Sequence, residues 1–214
     1  GALLELVAQV GRRGGPRLDL VAAYVDHGLR AGTAAEARLV RAHAERVQAA
    51  FVLEHVKVPR AGRSLLEAAR SVRYASLEEV RVRAQAKAIL LGHHRTDQGE
   101  TVLLQLLRGA GLSGLGGLRP RRGVLIRPLL DVSRAELEGF VQDQRLETVD
   151  DPSNGDLTRR RNRLRKTLWR SLLDFEPAAE VLVARAAQNL AEAGVLVEEL
   201  VTAGESPKEF KCRY

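Results

Sequence analysis

Residues 18–28, LDLVAAYVDHG, form a continuous apolar run that stops at Asp26, His27 and Gly28. A run this short and unbroken suits a strand buried on both faces, as in a parallel sheet, whose carboxyl end opens into a loop. Similar runs follow at 51–58 (FVLEHVKV) and 87–92 (KAILLG). Between them lie helical patterns, Ala-rich at 33–50 and amphipathic at 64–85, where Leu65, Leu66, Ala69, Val72, Leu77 and Val80 recur at helical spacing. Parallel strands need crossover connections, and helices of this length supply them. The alternation therefore predicts an α/β fold with a doubly wound parallel sheet. The first residues, with Leu3, Leu4, Leu6, Val7 and Val10, read as a helix closed by Gly11, Gly14, Gly15 and Pro16.

Beyond Leu91 the pattern becomes helical and Gly-rich. A helix is expected over 97–109, a flexible Gly-rich crossing over 109–117, and an extended piece before a helix at Ser133, with Glu136 three residues on as a capping box. DDPSNGD at 150–156 reads as a turn-rich loop, followed by a basic helix to about Leu173 and a long helix from Pro177 to Thr202. This organisation suggests three segments: 1–130 as a nucleotide-binding α/β domain, 131–175 as a helical part of the same catalytic domain, and 176–214 as a linker helix and tail.

The charge balance narrows the partners. Lys plus Arg number 34 against 27 Asp plus Glu, for a net charge of +7, which favours polyanions. One cysteine, Cys212, excludes an internal disulfide framework and suits a reducing cytoplasm. No apolar run is long enough to span a bilayer, so no membrane partner is expected.

Three groups of residues carry chemistry. In GHHRTDQGET, residues 92–101, a strand end delivers His93, His94, Asp97 and Glu100 to the sheet edge where open α/β folds bind ligands. Asp97 and Glu100 stand i and i+3 on one helix, so their carboxylates share a face and can hold Mg²⁺ or an ammonium group; equally, acids in a first turn complement the helix dipole. The adjacent histidines diverge and lack a third ligand at zinc spacing. On the 64–85 helix, Arg70 and Arg73, beside Tyr74, are spaced to converge on a phosphate or carboxylate, or to be solvated. TRRRNRLRKTLWR, residues 158–170, crowds Arg159, Arg160, Arg161, Arg163, Arg165, Lys166 and Arg170 around an apolar stripe of Leu164, Leu168 and Trp169. Like charges at i and i+4 repel, so this density calls for a polyphosphate or RNA backbone, or for a solvated surface. Arg119, Arg121, Arg122 and Arg127 add a second basic cluster.

VDHGLR (25–30), SLLEAARSVRY (64–74), GHHRTDQGETVLLQLLRGAGLSGL (92–115), RPLLDVSRAEL (127–137), DDPSN (150–154) and RNRLR (161–165) occur in an order and spacing that resemble the tRNA(Ile)-lysidine synthetases of the PP-loop ATP pyrophosphatase group. The resemblance covers about two thirds of the chain. It implies a Rossmann-like sheet of the adenine nucleotide alpha-hydrolase type with a helical C-terminal extension. It also implies an ATP-dependent carbon–nitrogen ligase: ATP adenylates the C2 oxygen of the wobble cytidine of tRNA(Ile) with a CAU anticodon, and the lysine ε-amine then displaces AMP to leave lysidine. By motif match, Asp97, Glu100 and Arg73 are the catalytic set, with Asp97 and Glu100 on Mg²⁺ or lysine and Arg73 on lysine or the adenylated base. Asp26, His27, Gly28 and His93 border ATP, and Arg161, Asn162, Arg163 and Arg165 hold phosphates of ATP or tRNA. A cytoplasmic location, in keeping with the single cysteine, and a homodimer are the accompanying expectations.

Departures accompany the match. The family opens with a strand and an SGGxDS loop whose backbone N–H groups receive phosphates. No SGGxDS occurs in these residues, and GALLELV fits the helix that follows such a loop, so the expectation is a chain without the first strand and its phosphate cradle. Arg95-Thr96 replaces an acidic position before Asp97, and KEFKCRY at the end matches no family motif. Two alternatives stay open: another PP-loop enzyme that modifies tRNA, and a catalytically inert RNA-binding remnant.

Overall fold

The fold is taken from a computed structural model that describes residues 1–16, 18–29, 32–59, 64–149 and 155–202. Arg30, the DDPSN stretch at 150–154 and the terminal KEFKCRY with Cys212 lie outside the described residues. In chain order the elements are α1 (Ala2–Arg12), β1 (Val21–Asp26), α2 (Thr33–Arg46), β2 (Ala50–His55), α3 (Leu65–Arg83), β3 (Ile89–Leu90), α4 (Arg95–Leu106), α5 (Leu112–Leu115), β4 (Arg121–Arg122), β5 (Leu125–Ile126), α6 (Arg134–Asp143), α7 (Arg160–Lys166), α8 (Leu168–Phe175) and α9 (Ala179–Thr202).

The chain divides into two compact units. The first comprises the described residues of Gly1–Gly92, Arg121–Pro128 and Ala135–Asp151. Its strands are parallel where the apolar runs predict it: β1 pairs with β2 in register from Val21 opposite Ala50 to Asp26 opposite His55, and β3 pairs with β5. The one antiparallel pairing among these strands is the short β4–β5 hairpin. β1 and β3 fall in separate sheets among the described residues, although α3 packs against both. Small side chains let the helices approach closely, with Ala22, Ala37, Ala44, Ala68 and Val80 forming the buried layer.

Helix α1 reads as apolar, yet its buried residue is Glu5. Arg12 and Arg46 each approach its carboxylate to 3.5 Å, and Gln9 donates to it at 3.3 Å while also donating to Gln144 at 2.9 Å. His43 of α2 adds a contact to the Glu147 carbonyl at 3.0 Å. A buried carboxylate is tolerated when cations and donors surround it, and here they tie α1, α2 and the segment after α6 together.

The second unit comprises the described residues of His93–Pro120, Leu129–Arg134 and Pro152–Tyr214, and is built from α4, α5, α7, α8 and α9. Three expectations are corrected here. The Gly-rich crossing contains the helix α5, which packs against α9 with Ala191 facing Gly116. Helix α4 starts at Arg95, two residues before Asp97, because the Asp97 carboxylate accepts the His94 backbone N–H at 3.1 Å and satisfies a donor of the first turn. The basic helix is two helices, α7 and α8, broken at Thr167, where φ is −113° and ψ is −84°. No Gly or Pro marks that break; the turn lets Trp169 bury at 4% exposure.

Candidate functional site

In the first unit, the carboxyl end of β1 delivers Asp26, His27 and Gly28. Asp26 organises its own loop: its carboxylate accepts from the Gly28 N–H at 2.9 Å and from Thr33 Oγ1 at 3.0 Å, with His55 Nδ1 at 3.4 Å. The Gly28 hydrogen bond leads the causes that hold its carboxyl below the ordinary aspartate range. Gly28 has φ +62°, a left-handed turn that a side chain would strain. His27 Nδ1 is buried without a hydrogen-bond partner among the described residues. Burial first, and then the charge of Arg73, push the His27 imidazolium pKa down, so the ring is neutral at pH 7. The two α3 arginines, Arg70 and Arg73, are exposed and lie over the Tyr74 ring, at 5.4 and 5.6 Å from its centroid.

In the second unit, a parallel bridge between His94 and Leu129 precedes α4, which begins at once. This projects Asp97 and Glu100 from the first turn and a half. Arg161 and Arg165, i and i+4 on α7, meet them face to face. Arg161 Nη2 donates to Asp97 Oδ1 at 2.9 Å and Arg161 Nε to Glu100 Oε2 at 2.7 Å. Arg165 Nη2 donates to the same Glu100 oxygen at 3.0 Å, and its Nε donates to Oε1. The Glu100 side chain has 0% exposure, so both its oxygens are committed inside the protein. The hydrogen bonds to Glu100 raise the pKa of Arg165 further above its ordinary value. Two carboxylates and two guanidinia thus form a charge-neutral cluster, the state in which buried ions are tolerated.

The arrangement separates residues that the sequence groups together. Arg161 and Arg165 turn inward, whereas Arg160, Arg163 and Lys166 are exposed. Asn162, expected on phosphate, donates to the Asp156 carbonyl at 3.0 Å and braces the turn before α7. His93, expected at ATP, is part-buried just ahead of this cluster's helix. As the side chains stand, Glu100 accepts guanidinium N–H groups on both oxygens, so the acid pair holds arginines in the place where a Mg²⁺ shared by Asp97 and Glu100 would sit.

Two residues of the site escaped the sequence reading. Gly99 lies between the two acids, and a Cβ there would stand 2.1 Å from the Trp169 ring. Thr96 Oγ1 donates to Glu180 of α9 at 2.5 Å. A glycine inside a helix was the available signal for the first, since it costs helix stability unless something needs the space.

A family model described as the PP-loop domain matches residues 1–172. The chain belongs to the PP-loop domain family. Its PP-loop fold is also that of the U34-tRNA thiolase NcsA from Methanococcus maripaludis, solved with its 4Fe–4S cluster, at a TM-score of 0.75 and 15% identity over 89% of this chain and 67% of that one. Among curated proteins, this PP-loop chain is 44% identical over 203 residues to the tRNA(Ile)-lysidine synthase of Ralstonia nicotianae, covering 93% of the chain and 44% of that protein. The enzymes of the same name from Pseudomonas fluorescens and Thermus thermophilus are each 40% identical, over 98% and 89% of this chain and over 48% and 37% of their own lengths. The chain spans less than half the length of these relatives. No described helix is long and apolar enough to cross a membrane.

Proposed function

We propose that this chain carries the ligase chemistry of a tRNA(Ile)-lysidine synthase: ATP activates C2 of the wobble cytidine of tRNA(Ile), and the lysine ε-amine displaces AMP. The 44% identity to the R. nicotianae enzyme over 203 residues carries the reading. Within it, Asp97 is the reachable carboxylate that orients the lysine amine, and Glu100 is the buried anchor that fixes the arginines around it. Arg73 faces lysine or the activated base, and Asp26, His27, Gly28 and His93 border ATP. The exposed Arg160, Arg163 and Lys166 supply a face for tRNA phosphates, while Arg161 and Arg165 contribute to phosphate binding from within the cluster. Mg²⁺ enters with the nucleotide phosphates, as it commonly does, and not as an ion caged by the acid pair. Location in the cytoplasm and assembly as a homodimer belong to the same proposal; sedimentation of the purified protein tests the latter.

The test incubates the protein carrying this chain with tRNA(Ile) bearing a CAU anticodon, ATP, Mg²⁺ and L-lysine, and digests the product for mass analysis of its nucleosides. Lysidine at the wobble position is the expected product. A folded, tRNA-binding sample with neither lysidine nor ATP–pyrophosphate exchange would overturn the proposal in favour of an RNA-binding remnant.

A further inference from the structure

We propose that the Asp97–Arg161 pair is an exchangeable latch, which withholds Asp97 from a cationic substrate until a polyanion draws Arg161 away. The inference rests on the ligase reading, because it assigns an order to the two kinds of charge that such a ligase handles.

The cluster has two unequal halves. Glu100 and Arg165 form the fixed half: the acid is fully buried, and Arg165 reaches it through two N–H groups. Asp97 and Arg161 form the outer half, with side chains 16% and 35% exposed, and Arg161 bridges back to Glu100 Oε2 through its Nε at 2.7 Å. Arg161 Nη2, 2.9 Å from Asp97 Oδ1, stands where an alkylammonium bound to that carboxylate would stand. An ammonium arriving in this state meets an occupied acceptor and two guanidinium charges, since Arg165 Nη2 is also only 3.7 Å from the same oxygen. Like charges in such a place exclude the cation.

A polyanion reverses the balance. Arg161 sits within a turn and a half of Arg160, Arg163 and Lys166, which are exposed, and its long stem lets the guanidinium swing from carboxylate to phosphate. Multiply charged phosphate oxygens compete well for that fork. When Arg161 leaves, Glu100 gives up the Arg161 Nε bond at 2.7 Å but keeps both Arg165 N–H groups, so the buried acid retains one guanidinium while the phosphate offsets the lost contact, and Asp97 keeps the His94 N–H on Oδ2 while Oδ1 turns to a new cation. Binding of the anion and of the amine is then coupled, and linkage requires each to tighten the other by the same factor.

Trp169 is the only tryptophan of the chain and packs on Gly99 between the two acids, so its emission reports on this site directly. L-lysine is titrated against that emission with and without sodium tripolyphosphate, at matched ionic strength because salt screens exposed pairs. Tripolyphosphate is expected to lower the lysine dissociation constant about tenfold, within the usual range of coupling between sites. In Arg161→Gln the constant without tripolyphosphate should match the wild-type value with it, and the dependence should vanish. Arg161→Lys, a milder change, should retain a reduced dependence. An unchanged lysine constant in the wild-type protein, or a full dependence in Arg161→Gln, would overturn the latch; the wild-type comparison needs no variant to fold. Lysidine formation separates the two ideas: a protein that makes lysidine but shows no coupling loses the latch alone, and coupled binding without any lysidine removes the ligase reading alone.

Discussion

Gly99 and Trp169 occupy one space: a methyl group added to the glycine would fall 2.1 Å from Cη2 of the indole and 2.8 Å from Cζ3. No rotamer hop of a flexible chain relieves that overlap, because Trp169 is buried at 4% exposure. Gly99→Ala should therefore destabilise the fold by about 1–3 kcal/mol, the usual range for overpacking a well-filled core. The shift of the urea midpoint, followed by circular dichroism, measures it. Gly99→Ala in a Trp169→Leu background should cost less than in the wild type, since the smaller side chain vacates the position; equal costs would show that the indole is not the obstacle.

The Glu100–Arg165 half of the ion cluster makes a second prediction. Arg165→Gln leaves a fully buried carboxylate with one guanidinium where it had two, and should cost about 3 kcal/mol, the low end for a broken buried pair because Arg161 Nε remains on Oε2. The double variant Glu100→Gln/Arg165→Gln should lose less than Arg165→Gln alone, because no uncompensated charge remains. Thermal unfolding at pH 7 distinguishes these outcomes.

Asp97→Asn should separate fold from activity. An asparagine oxygen still accepts the His94 N–H that starts α4, so the fold should survive, with the lost part-buried pair to Arg161 costing about 1–3 kcal/mol. Lysidine formation under limiting lysine should fall roughly 10- to 100-fold, the worth of one hydrogen bond to a charged partner. Undiminished kcat/KM for lysine in a folded variant would remove Asp97 from the catalytic set.

His27 contributes a pH dependence. Burial and the Arg73 charge hold its folded pKa below the ordinary 6.5, so the native state resists the proton that the unfolded chain accepts. Stability is complete above pH 6.5 and declines as pH falls from there toward the folded pKa. His27→Gln, which cannot titrate, should flatten that part of the stability profile. A profile identical in the two proteins between about pH 7 and pH 5 would show that His27 titrates alike in both states.

Much of this molecule is legible from local pattern. The apolar runs at 18–28 and 87–92 mark parallel strands, and the pairing of β1 with β2 and of β3 with β5 bears this out, although the strands are mostly half-buried and Leu90 is exposed. The i, i+3 spacing of Asp97 and Glu100 and the i, i+4 spacing of Arg161 and Arg165 follow from helix geometry alone. What those charges meet is not local information. Arg161 reaches Glu100 across 61 residues and Arg165 across 65, and only packing brings α7 onto α4. Once Glu100 is buried, the cost of an unpaired ion selects a cationic partner, so two groups that read separately as a substrate site and a phosphate site become one neutral cluster. The break at Thr167 has the same origin: with no Gly or Pro to announce it, it exists because Trp169 must turn into the space that Gly99 leaves. Sequence determined the elements and the charges that each helix presents; tertiary structure decided their pairing, because burial makes the energy of each charge depend on neighbours that chain order does not reveal.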